Sequence, residues 1–163
     1  GSILRDLGKL EEAELSYRKA IKLKPDFAMA HANLGSMLSD LCRSQESFDY
    51  YLRVIEINPK HTNIYRSITS LLNKSDPSQL NKSKLKNILN LLLEKNDISH
   101  KELFKAFNFL YRNEIISNLE VSECYKNKLI FDDKLVINAL KKIIFSDLKL
   151  EEMLTKTRRR IWK

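Results

Sequence analysis

Displaced by 34 positions, the chain superposes on itself. Gly1 falls on Gly35, Ser2 on Ser36, Leu4 on Leu38, Asp6 on Asp40, Leu7 on Leu41, Glu12 on Glu46, Tyr17 on Tyr51, Ile21 on Ile55 and Pro25 on Pro59, nine identities in 27 positions. A period of this length constrains the fold more than any single motif, because a unit too small to bury its own apolar face must stack on a copy of itself. Three Gly and three Pro among 163 residues make a sandwich or barrel a poor fit and point to helices.

The repeated positions have physical roles. In the second unit a bulky His31 is followed by Leu34, Gly35 and Leu38, then by Ser47, Tyr51 and Pro59. The first unit supplies Gly1, Leu4, Ala13, Tyr17 and Pro25, with Gly8 as its turn glycine. Proline ends a helix because it cannot donate the next hydrogen bond and displaces the preceding residue from helical geometry. Gly35, Ala13 and Ala20 allow paired helices to approach closely, whereas Ser47 and Val54 at the corresponding places predict looser packing in the second unit. This pattern resembles the tetratricopeptide repeat (TPR) family, most closely over AIKLKPDFAMAHANLG. A third unit begins with Tyr65, Ile68 and Leu72, carries Thr69 in place of the glycine, and loses the register after Asn73. The expected fold is all-α: a right-handed helix-turn-helix solenoid of about two and a half repeats over 1–73 (1–25 partial, 28–61, and a degenerate start over 62–73), capped by a helical bundle over 74–163.

The second half reads as successive helices. The turn cluster Lys74-Ser75-Asp76-Pro77-Ser78 marks the boundary, and Leu85, Ile88, Leu89, Leu92 and Leu93 predict a helix over about 79–94. Ser99 and Glu102 form a capping-box pattern ahead of a stripe of Leu103, Phe104, Phe107, Leu110 and Tyr111. A short helix is expected around Ile115–Leu119, and another, capped by Asp132 or Asp133, carries Leu135, Val136, Ile137, Leu140, Ile143 and Ile144. Leu150, Met153, Leu154 and Ile161 line the last.

The formal charge of +8 is unevenly placed: residues 1–61 hold nine basic and nine acidic side chains, and residues 141–163 hold eight and three. Lys156, Arg158, Arg159 and Arg160 form a basic patch that suits the negative end of a helix dipole and also offers a contact for RNA, DNA or an acidic membrane surface. The favoured reading is a helix end whose apolar face continues into a further domain of the same chain; nucleic acid is the rival partner and no membrane partner is expected. LKLEEMLTKTRRRI is similar to the helical stretch before the methyltransferase-like domain in bacterial proteins that join TPRs to S-adenosylmethionine-dependent methyltransferases. That resemblance implies an enzyme beyond Lys163, and the shortened first repeat implies sequence upstream.

No catalytic group can be assembled from this sequence. The histidines are scattered: His31 at a core position, His61 after a helix-ending Pro-Lys, His100 in a first helical turn. The acidic pairs Glu11-Glu12, Asp132-Asp133 and Glu151-Glu152 lie near helix starts, where the dipole accounts for them. Neither GxxxxGK[ST] nor GxGxxG occurs, and Cys42 and Cys124 lack the spacing of a zinc site or disulfide framework. No catalytic residue, cofactor or metal is expected, and a reducing, cytoplasmic setting is. The resemblance implies a protein-interaction scaffold that binds a protein or peptide in the concave groove lined by the first helices. Its lining would be Ser2, Arg5 and Asp6, then Met29, Ala32, Asn33, Ser36, Ser39 and Asp40, then Asn63, Arg66, Ser67, Ser70 and Asn73. Asn33 stands where related repeats hydrogen-bond a peptide backbone, for which an amide can both donate and accept.

Overall fold

In this computed structural model the backbone is described for residues 2–120 and 134–142, and side chains for 8–114 and 134–142 except Leu140. The chain forms two compact units, Gly1–Leu80 and Asn81–Lys163. Among the described residues there are helices and no strand.

The first unit contains α1 (Ser2–Leu23), α2 (Ala28–Asp40), α3 (Ser44–Ile57) and α4 (Thr62–Lys74). Helices α1 and α3 end two residues before Pro25 and Pro59, where the repeat arithmetic places their ends. Successive helices pack in order, and α2 also touches α4, so the first helices of the second and third units are neighbours. The core is Leu34, Met37 and Leu38 of α2, with Ala13, Tyr17 and Ile21 of α1 and Tyr50 of α3 packed against it.

Each helix-ending proline is clasped by the bulky residue of the following unit. The His31 ring donates from Nε2 to the Pro25 carbonyl at 2.9 Å, and the Tyr65 hydroxyl donates to the Pro59 carbonyl at 2.6 Å. A carbonyl only accepts, so Nε2 carries the His31 proton. Buried His31 is thus a structural histidine that locks a repeat junction.

Gly8 departs from expectation. It lies inside the unbroken α1 instead of at a turn, and a Cβ added there would meet nothing within 4 Å. Carrying a helix through glycine costs about 1 kcal/mol. The corresponding turn in the second unit does form, with Cys42 at φ 59° in the left-handed region. Its N–H donates to the Ser39 carbonyl at 3.1 Å while that of Arg43 donates to Leu38 at 2.9 Å, the pairing that closes a helix end on a left-handed residue. A Cβ is unfavourable there, so Cys42→Gly is expected to raise stability by roughly 0.5–1 kcal/mol after allowing for glycine's greater unfolded-state entropy. A higher melting temperature checks this.

The looser packing expected at Ser47 and Val54 is not found, as both are fully buried. The Ser47 hydroxyl donates to the Gly35 carbonyl at 2.7 Å, so serine tightens the approach with a hydrogen bond that alanine lacks. Thr69 is also buried, its hydroxyl donating to the Tyr65 carbonyl of its own helix at 2.8 Å.

The second unit contains α5 (Lys82–Glu94), α6 (Phe104–Glu120) and α7 (Lys134–Lys142). The Asn81 side chain caps α5 by accepting from the Lys84 N–H at 3.0 Å. Leu85, Leu89, Leu92 and Leu93 are buried with Phe107 of α6 and Leu135, Val136 and Ala139 of α7. Lys142 donates to the Leu93 carbonyl at 2.6 Å, satisfying an open end of α5. The Ser99-Glu102 capping box is not made: Ser99 gives no side-chain cap, and its carbonyl accepts from the Glu102 N–H in a 3-10 turn over His100–Leu103. His100 therefore sits in that turn, bonded through Nε2 to the Lys95 carbonyl at 2.8 Å. Helix α6 also runs unbroken through the expected separate helix at Ile115–Leu119.

Candidate functional site

Helix α2 carries six of the predicted groove residues and α4 five. On α2, Asn33, Ser36, Asp40 and Met29 are exposed, whereas Ala32 and Ser39 are half-buried. On α4, Asn63, Arg66 and Asn73 are exposed, and Ser67 and Ser70 half-buried. The alternation follows helical period: one turn inward lie the buried Leu34, Leu38, Ile68 and Leu72.

The buried Tyr51 of α3 has Ser36 of α2 and Ser67 of α4 among the groups that act on its phenol. Burial pushes that phenol above its ordinary pKa and nearby Asp40 pushes it the same way, while hydrogen bonding with Ser36, Ser47 and Ser67 opposes them. Tyr51 was expected only as a core aromatic. Its side chain is buried, with its ring against Gly35 of α2.

Asn33, Asn63 and Arg66 make no side-chain hydrogen bond or ion pair with the described residues. They present amide donors and acceptors and one guanidinium. The predicted first-unit members do not extend this face on a helix of their own: Ser2, Arg5 and Asp6 fall on the continuous α1, and their side chains lie outside the described residues. The basic patch Lys156, Arg158, Arg159 and Arg160 lies outside them too, as do Asp132, Asp133, Glu151, Glu152 and Cys124. Among the described residues no group of His, Cys, Asp or Glu could hold a metal, and no helix is long and apolar enough to cross a membrane.

A network absent from the sequence reading ties the units' second helices together. Arg43, at the start of α3, grips Glu46 through two bonds of 2.7 Å and reaches across to Glu14 of α1 at 2.9 Å. Arg18 bonds Glu14 at 2.7 Å and the Tyr50 hydroxyl at 3.0 Å. Arg18, then Arg43, hold the Glu14 carboxyl below its ordinary pKa; Arg43, then Arg18, do so for Glu46. A depressed carboxylate pKa contributes stability that is complete above the unfolded value, about 4.3, and is lost as pH falls through it toward the folded value. Arg43→Met is therefore expected to melt below the wild type at pH 7, and the difference to shrink as pH falls below about 4.3 toward the depressed folded values.

A TPR repeat model matches residues 1–39, and a tetratricopeptide repeat model matches residues 29–61. The chain is also similar to the human (Homo sapiens) protein O-mannosyl-transferase TMTC3, 26% identical over 99 residues, a match that covers 60% of this chain and 10% of that protein. Its mouse (Mus musculus) counterpart is 28% identical over 60 residues, covering 37% of this chain and 6% of the relative. The matched stretch thus spans a tenth or less of the length of these curated relatives.

Proposed function

We propose, from the premise that residues 1–61 are tetratricopeptide repeats in an all-α solenoid, that this chain is a noncatalytic protein-interaction scaffold. Its ligand is an extended peptide laid along α2 and α4. The observation that carries this reading is the pairing of these helices with Asn33, Asn63 and Arg66 all exposed and without a side-chain partner among the described residues. Amides at 33 and 63 suit a peptide backbone, and Arg66 suits a carboxylate of the ligand. With one cation in place, the ligand is fixed mainly by its backbone.

A peptide library selected on the immobilised chain tests this. For a selected peptide, Asn33→Ala is expected to weaken binding about two- to tenfold with the melting temperature unchanged, and Arg66→Ala to weaken it more for peptides with an acidic residue. Selected peptides that bind both variants as well as the wild type would remove the α2/α4 face from the function.

A second reading, that the scaffold is the accessory arm of a transferase, rests on the likeness to proteins named O-mannosyl-transferase. Purifying the chain together with the protein encoded by its complete reading frame, and assaying glycosyl and methyl transfer, separates the two. The free, exposed Cys42 fits a reducing, cytoplasmic setting.

A further inference from the structure

The face of α1 turned away from the α2 core is unusual for a solvated helix. Leu15 is 68% exposed and Leu23 78% exposed. At 3.6 residues per turn, Glu11, Glu12, Leu15, Lys19, Lys22 and Leu23 fall within an arc of about 120°. Both acids lie at one end of this stripe, both lysines at the other, and Leu15 between them. Inside α1, none of the four charges has an oppositely charged residue four positions away. None makes a side-chain hydrogen bond or ion pair with any described residue. By contrast, Glu14 and Arg18, one step around the same helix, are fully engaged.

Four unpaired charges segregated by sign around an exposed leucine are complementary to themselves when the helix is reversed. We infer that α1 docks a second copy of this chain, antiparallel, about a twofold axis near Leu15 and Ser16. In that register Glu12 meets Lys19 of the second copy, Glu11 meets Lys22, and the two Leu15 side chains pack at the centre. Leu23 then lies over Gly8 of the second copy, where the missing side chain leaves open space. The contact is isologous, so it closes as a dimer. Its occupant is fixed by the order of charge along the stripe: a uniformly acidic or basic segment would face repulsion at one end.

Sedimentation of the full chain over a concentration series, with charge-reversed variants, tests the inference. The wild type is expected to form a dimer that weakens as salt rises. Lys19→Glu/Lys22→Glu and Glu11→Lys/Glu12→Lys should each weaken it more than about tenfold, because like charges then oppose one another. Mixing the two variants should restore a dimer containing one of each. Zero-length cross-linking of isotopically mixed wild-type chains, which needs no variant to fold, should join Glu11 or Glu12 of one copy to Lys19 or Lys22 of the other. A wild type that stays monomeric to about 1 mM, where association is worth only about 4 kcal/mol, overturns the proposal. So does a dimer indifferent to both reversals, or one whose cross-links lie elsewhere.

Discussion

Leu34→Ala is expected to cost the first unit about 2–5 kcal/mol, the range for truncating a buried leucine that leaves an unfilled cavity. Leu34 is 0% exposed and sits at the centre of the α2 core, against side chains from α1 and α3. The cavity cannot close easily, because the helices that would move inward are already held by the His31 clasp and the Arg43 network. A loss of this size is a large share of the roughly 5–15 kcal/mol that holds a domain together. The urea midpoint should fall with the slope of the transition unchanged, as befits a stability effect confined to the native state. Leu34→Met, which nearly conserves volume, should cost less than about 1.5 kcal/mol. A loss of only a few tenths for Leu34→Ala would mean that the 34-residue register is wrong.

How much of this could be read in advance follows from which interactions repeat. Pro25 and Pro59 do the same local work, each closing a helix two residues earlier, so a 34-residue shift exposes them. What the shift could not expose is where equivalent positions behave differently. Gly8 and Cys42 are such a pair: the glycine stays in helix, while the cysteine takes the left-handed turn. His31 and Tyr65 differ chemically yet perform the same clasp, since an imidazole N–H and a phenol O–H are both donors on a flat apolar body. The Glu14, Arg18, Arg43 and Glu46 network was illegible for another reason. Its partners lie up to 29 residues apart and come from helix faces that periodicity treats simply as polar. On α2 and α4 helical period places Asn33, Ser36, Asn63 and Arg66 outward, as found, but the close approach of the Tyr51 ring to Gly35 required the packing of α2 on α3.

That tyrosine is a buried part of the core beside Gly35, and its replacement tests the packing there. Tyr51→Ala is expected to cost about 3–5 kcal/mol, the range for deleting a buried aromatic ring. Tyr51→Phe should cost only about 0.5–1.5 kcal/mol, because the ring stays and only the hydroxyl is lost. The reason the ring matters lies at Gly35: an ideal Cβ there would come within 2.7 Å of Tyr51 Cδ1 and Cε1 and 3.4 Å of the Ser47 carbonyl oxygen. In the wild type Gly35→Ala is therefore expected to destabilise by about 1–3 kcal/mol through overpacking. In the Tyr51→Ala background the same methyl group enters the space the ring has left, and alanine's better helix propensity is worth about 1 kcal/mol there. The effect of Gly35→Ala should accordingly change sign between the two backgrounds. A double-mutant cycle by urea denaturation reads this coupling directly. Additive effects would show that glycine at position 35 serves something other than the approach of Tyr51.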